Sequence, residues 1–137
     1  VEALMTTGVV VIAAGGGGVP VTESHSGALA GIDAVVDKDR ASALLACSLH
    51  ADLLAILMDG EGVATGWGTP EQRVLAELSA DEAAALVASG QLESGTIAPK
   101  VESCVRFVHE CGGRALICDA GHLSEAMAGR AGTRIGW

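Results

Sequence analysis

Aromatic residues are nearly absent from this 137-residue chain: Trp67, Phe107 and Trp137 are the only ones, and there is no tyrosine. The core must therefore be built from small aliphatics, and half of the sequence is hydrophobic with 19 glycines. That composition suits a packed α/β domain with close helix–sheet contacts and excludes disorder. Basic residues are also scarce, 8 against 17 acidic, for a net charge of −9. A nucleic-acid surface needs a basic stripe, so that class of partner is excluded. No apolar stretch reaches the ~18–20 residues of a membrane span, and no cationic, apolar, small-residue leader is present. The expectation is a cytoplasmic protein with no membrane partner. The four cysteines, Cys47, Cys104, Cys111 and Cys118, form no CxxC pair. Cys104 and Cys111 share a helical stripe with Val101, Val105 and Val108, so the cysteines read as buried small hydrophobes rather than metal or redox groups.

What is present is an apolar run, Val9 to Ala14, that breaks into Gly15-Gly16-Gly17-Gly18 and Pro20. A second short run, Ile32 to Val36, ends in the triplet Asp37-Lys38-Asp39. Glycines let backbone N–H groups approach an anion without Cβ hindrance. A lysine between two carboxylates offers one mobile positive charge and two groups to orient it, so the pair of features suggests a site for an anionic, phosphorylated ligand.

The opening Val1–Met5 reads as a helix tail closed by Gly8, and hence as part of something longer. Val9–Ala14, Ile32–Val36, Asp52–Leu57, Arg114–Cys118 and Thr133–Ile135 read as strands. Gly15–Gly31 reads as a loop, and residues 63–78 give no clear pattern. Asp37 or Asp39 caps a helix whose expected inner face is Ala41, Leu44, Leu45, Ser48 and Leu49. Ser79-Ala80-Asp81-Glu82 opens a helix that ends before Gly90. After a loop with Ser94-Gly95-Thr96, Pro99-Lys100 starts a helix stopped by Gly112-Gly113, and His122–Met127 is a short helix. Strands alternating with helices predict a three-layer α/β/α sandwich around a mainly parallel sheet. Ligands of such sheets sit at the strand carboxyl ends, where Gly15–Gly18, Asp37–Asp39 and Asp59-Gly60-Glu61-Gly62 are all expected to fall.

The glycine run is neither a P-loop nor a dinucleotide fingerprint, since no Gly-Lys-Ser/Thr follows and Pro20 stands in the third glycine position. A tight turn and an anion cradle both remain open for it, as do a polar turn and a nucleotide contact for Asp59–Gly62. Lys38 and Lys100 are the only lysines. Lys100 opposes the dipole of the helix it starts, a penalty that a bound phosphate would reverse.

Four segments in register resemble the carbamate kinases, within the amino-acid-kinase family: Ala14–Val21, Ile32–Ser42, Trp67-Gly-Thr-Pro-Glu-Gln-Arg73 and Pro99-Lys-Val-Glu-Ser103. The resemblance spans essentially the whole chain but only the C-terminal part of those enzymes, and residues 1–137 read as one nucleotide-binding domain. It implies reversible phosphoryl transfer between ATP and carbamate, yielding ADP and carbamoyl phosphate, with Mg²⁺, as in arginine fermentation. It also implies a homodimer or a complementary N-terminal chain. By position, Lys38 and Lys100 would neutralise the transferring phosphoryl group, and Asp39 would hold them. Gly15, Gly16, Gly17, Gly18 and Asp37 would line the substrate and phosphate side. Asp59, Gly62, Trp67 and Lys100 would border the nucleotide. Departures from the pattern fall at Gly60, Glu61 and Ala64, where a ring near the nucleotide is lost, and across Leu92–Ile97. A catalytically incomplete nucleotide-binding remnant is the alternative, and a different acylphosphate-forming kinase is a third reading.

Overall fold

The computed structural model describes residues 1–92 and 96–137. In chain order its elements are α1 (Glu2–Met5), β1 (Val21–Glu23), β2 (Leu29–Gly31), α2 (Lys38–Ser48), β3 (Leu53–Met58), β4 (Ala64–Thr65), β5 (Arg73–Val74) and β6 (Glu77–Leu78). They continue with α3 (Ala80–Ala88), α4 (Ala98–Cys111), β7 (Arg114–Asp119), a 3-10 turn (Ala120–His122), α5 (Leu123–Met127) and β8 (Thr133–Ile135). Of the loop expected between α3 and α4, Glu93, Ser94 and Gly95 lie outside the described residues.

The central sheet has the order β3-β7-β8-β6. β3 and β7 run parallel, with Leu53 opposite Arg114 and Met58 opposite Asp119. β8 is parallel to β6 but antiparallel to β7, so the sheet is mixed, mainly parallel as expected, and differs at the β7–β8 pairing. The connection explains the difference. A parallel return must span the ~20 Å of a six-residue strand, whereas five-residue α5 covers only about 7 Å. The chain turns back at Gly129–Gly132 instead.

β7 is buried on both faces. Ala115 and Ile117 join the main core with Phe107, Val101 and Leu54, under α2, α3 and α4. Leu116 and Cys118 point the other way, onto Ala126 of α5. Helices thus flank both faces, as an α/β/α sandwich requires. On β3 the α2/α4 side is covered, whereas on the opposite face Leu53 packs toward α5 and Leu57 is exposed.

Two expected strands are not formed. Val9–Ala14 and Ile32–Val36 are irregular, and Val10 and Ile12 are 96% and 98% exposed. A run apolar on both faces becomes a strand only between neighbours that satisfy its backbone, and among the described residues no strand pairs with either run. Of the three loops expected to follow strands, only Asp59–Gly62 does so. The Gly15–Gly31 loop instead contains an antiparallel hairpin, β1 with β2.

Helix starts follow their capping residues. The Asp37 carboxylate accepts from the backbone N–H of Asp39 (3.0 Å) and Arg40 (2.9 Å) at the head of α2. Ser79 and Glu82 form a reciprocal capping box on α3. α4 ends in the left-handed Gly112 (φ 68°), whose N–H reaches the Val108 carbonyl at 3.0 Å. The buried side of α2 is Asp39, Ala43 and Ala46 rather than the leucine face, and Leu44 is exposed. The two alanines let α2 lie close against α4, which also leads to a second correction. Cys47 and Cys111 are not free thiols but a disulfide, with Cα atoms 5.5 Å apart and 64 residues between them in sequence. Spacing along one helix carries no sign of a partner that distant. Cys104 and Cys118 are free and buried, as expected.

Candidate phosphate and nucleotide site

Two helix N-termini and both lysines meet at one carboxylate. Asp37 fixes the first turn of α2, which places Lys38 and Asp39 at its head. The Lys100 Nζ, from the first turn of α4, donates to the Asp39 Oδ2 at 2.9 Å. The Lys38 Nζ stands 3.9 Å from the same oxygen. The Lys100 and Asp39 side chains are 12% and 10% exposed, whereas that of Lys38 is 61% exposed. One ammonium is therefore anchored and the other is free to swing. Arg40 to Glu102, at 3.1 Å, ties the same two helices on their outer side.

The head of α4 differs from that of α2, where Asp37 and Asp39 stand. α4 has no acidic residue in its first turn and no side-chain cap, since Ile97 occupies the cap position. The positive end of its dipole has no acidic side chain in that first turn or at the cap, and such an end favours an anion. Cys104 lies one turn further along α4. Burial above all, and then the Asp39 charge, push its thiol up to about 12, against a smaller opposing effect from Lys100. It stays a neutral thiol and is no nucleophile.

The glycine run is brought to the same place. The N–H of Gly17 closes a turn on the Ala14 carbonyl at 2.9 Å. Gly17 has φ +138°, and a Cβ there would overlap the Val36 carbonyl, the residue before Asp37. Only glycine allows this approach, so Gly17 lies beside Asp37 at the head of α2. Gly15, Gly16 and Gly18 have open space around them.

Asp59, Gly62 and Trp67 come together elsewhere on the same rim. With Met58, Ala64, Thr96 and Ile97 they line a pocket of about 70 Å³. Ile97 connects this pocket to the α4 N-terminus and so to Lys100. Gly62 is held there because a Cβ would meet the Thr133 Oγ1 at 2.7 Å. Trp67 and Ala64 share this pocket, so an aromatic ring is present where the resemblance finds one missing at Ala64. A larger cleft, of about 450 Å³, is lined by Glu61, Asp119, His122 and Arg130, and of the Asp59–Gly62 segment only Glu61 reaches it. Among the described residues, no group of three or more His, Cys, Asp or Glu side chains is placed to hold a metal ion. The chain therefore offers Mg²⁺ no ligand set of its own among them. His109 of α4 pairs with Asp81 of α3 at 3.3 Å. Sequence reasoning missed the Arg40–Glu102 tie, and an i to i+62 ion pair leaves no local signal.

The model of the amino acid kinase family matches residues 1–119. The carbamate kinase of Halobacterium salinarum is 43% identical over 135 residues, which are 98% of this chain and 44% of that protein. That of Thermoplasma volcanium is 42% identical, with the same coverage. The chain thus spans less than half the length of these relatives. Among solved structures, the carbamate kinase of Giardia lamblia bound to AMP-PNP superposes with a TM-score of 0.91 at 34% identity, over 98% of this chain and 47% of that one. The uridylate kinase of Archaeoglobus fulgidus shares only the fold, at 16% identity and a TM-score of 0.55. No helix among the described residues is long and apolar enough to cross a membrane. With its mixed sheet flanked by helices and a family match over most of its length, the chain belongs to the amino acid kinase family.

Proposed function

We propose that this chain is the C-terminal, nucleotide-holding part of a carbamate-kinase-type phosphotransferase. By itself it binds the phosphate chain of ATP or ADP without completing the reaction. The observation that supports this is the convergence of Lys38 and Lys100 on Asp39 at two helix N-termini. Phosphoryl transfer needs little covalent chemistry from the protein, and catalysis rests on positioning and charge neutralisation. Lys100, fixed by Asp39, would meet the phosphate nearest the nucleoside end. Lys38, mobile and exposed, would follow the phosphoryl group as it moves. Asp39 is a positioning residue, because its short contact is to Lys100 rather than to the reacting atoms. Gly17 would bring the glycine backbone up to the acceptor side beside Asp37. The nucleoside would occupy the rim of the pocket at Asp59, Gly62 and Trp67.

The G. lamblia carbamate kinase that superposes on this chain is bound to AMP-PNP, which favours an adenine nucleotide here. The acceptor would be carbamate, with carbamoyl phosphate as product and ATP formation as the reverse reaction. Mg²⁺ would ride on the nucleotide phosphates, given the lack of a ligand set among the described residues. A homodimer or a complementary N-terminal chain would supply the remaining phosphate contacts, in the cytoplasm.

A reconstitution assay tests this. ADP and carbamoyl phosphate are supplied to the chain alone, and then together with the separately produced N-terminal half of a carbamate kinase. The expected result is no ATP from the chain alone and ATP formation from the mixture. Turnover by the chain alone would overturn the incomplete reading. Absence of ADP binding by the folded chain would overturn the nucleotide reading altogether.

A further inference from the structure

The disulfide joins the same two helices that carry the lysines, at their opposite ends. α2 and α4 lie side by side in parallel, with Asp39 bonded to Lys100 near their N-termini and Cys47 bonded to Cys111 near their C-termini. Arg40 to Glu102 is a third link. Between the links the contact rests on small residues, Ala43 and Ala46 of α2 and Cys104 of α4, all buried. Small side chains give close approach but little interlocking area, so the covalent link contributes much of what holds the register of the two helices. Both bridged cysteines are only half-buried, in contrast to the fully buried Cys104 and Cys118.

We propose that Cys47–Cys111 is a thiol–disulfide exchange site for a dithiol reductant, and that its redox state sets how rigidly α2 and α4 present Lys38, Asp39 and Lys100. One thiolate of the reductant attacks a sulfur of the bridge. A mixed disulfide forms, and the other cysteine leaves as a thiolate that takes up a proton. The second reductant thiol then attacks the mixed disulfide and releases the remaining cysteine. Two electrons and two protons pass from the dithiol to the pair, and the reductant leaves as its own disulfide. The reduced form keeps the Asp39–Lys100 bond but loses its distant brace, so the helix N-termini sample more arrangements. This inference does not depend on which ligand the lysines hold.

The test uses the whole chain purified without reductant. Alkylation in denaturant should label the two free cysteines before reduction and all four after it, and peptide mapping should recover a cross-linked Cys47–Cys111 peptide. Treatment of the folded chain with dithiothreitol should then open the bridge. It should lower the midpoint of thermal unfolding by roughly 10 °C. Amide hydrogen exchange across residues 38–48 and 98–111 should speed up about tenfold or more, and by a larger factor than across β7. The C47S/C111S variant should match the reduced chain and ignore dithiothreitol. Four labelled cysteines before reduction would overturn the proposal. So would a bridge that opens only after unfolding, or unchanged exchange in both helices on reduction. Should the double variant fail to fold, the reduced and oxidised wild-type chains alone decide.

Discussion

At the scale of single residues, the two lysines differ in what they are bound to, and their substitutions should differ accordingly. Lys38→Ala removes an exposed ammonium 3.9 Å from its partner, so the unfolding free energy from urea titration should change by less than about 0.5 kcal/mol. Lys100→Ala strands a largely buried carboxylate and should cost about 1–3 kcal/mol in the same measurement. Equal costs would contradict the anchored-and-mobile assignment. Thr133 offers a second case. Its buried hydroxyl donates to the Leu75 carbonyl at 2.6 Å and accepts from the Val63 N–H at 2.8 Å. Thr133→Val keeps the shape and leaves both backbone groups unpaired, which should cost about 1–3 kcal/mol; an unchanged urea midpoint would show that water replaces the hydroxyl. Lys38 and Lys100 could be picked out in the sequence because lysine is so rare here and each stands beside a breaker or a carboxylate. The Cys47–Cys111 bridge could not, because residue spacing is silent about partners on another helix.

At the scale of elements, helices were the more legible part of the chain, because their signals are local. Asp37, Ser79 with Glu82, and Gly112 each act within a turn of where they stand in sequence. Ser79→Ala should cost about 1 kcal/mol of stability by removing the α3 cap. Hydrogen bonds from the backbone and hydroxyl of Ser79 hold the Glu82 carboxyl below its ordinary 4.5. A carboxyl depressed in the folded state contributes stability that is full above its unfolded value and fades as the pH falls through the folded one. Acid titration followed by circular dichroism should therefore show the Ser79→Ala chain losing less stability than the wild type on acidification below about 4.5. Parallel acid curves would contradict this. Strands were harder to read. Leu53–Met58 and Arg114–Asp119 became strands because each pairs with the other, whereas Val9–Ala14, equally apolar, has no neighbour among the described residues. Apolar character marks a strand candidate, and pairing decides it. The same holds for the direction of β8, which depends on the short span of α5 rather than on any residue within Thr133–Ile135.

At the scale of the whole molecule, the apolar side chains of Val10, Ile12, Val19 and Val35 are left almost fully exposed. Val10, Ile12 and Val35 lie in the apolar runs ahead of the glycines and of the Asp37–Asp39 triplet, which read as strands in the sequence, and Val19 follows the glycines. A surface of this kind associates. Sedimentation velocity should show concentration-dependent association of the isolated chain, weakened in a V10K/I12K variant; a monomer at all concentrations would contradict it. The candidate site spans this region and the ordered α2–α4 pair, so half of its geometry was legible from motifs and half depends on packing. The most direct measurement is calorimetric titration of Mg²⁺–ADP into the folded wild-type chain and into its Lys38→Ala and Lys100→Ala variants. Two lysines sharing one phosphate chain predict measurable binding to the wild type, weakened about tenfold or more by either change, since a charge-assisted hydrogen bond contributes roughly 1.5–3 kcal/mol. Affinity that is the same in all three folded chains would contradict the account.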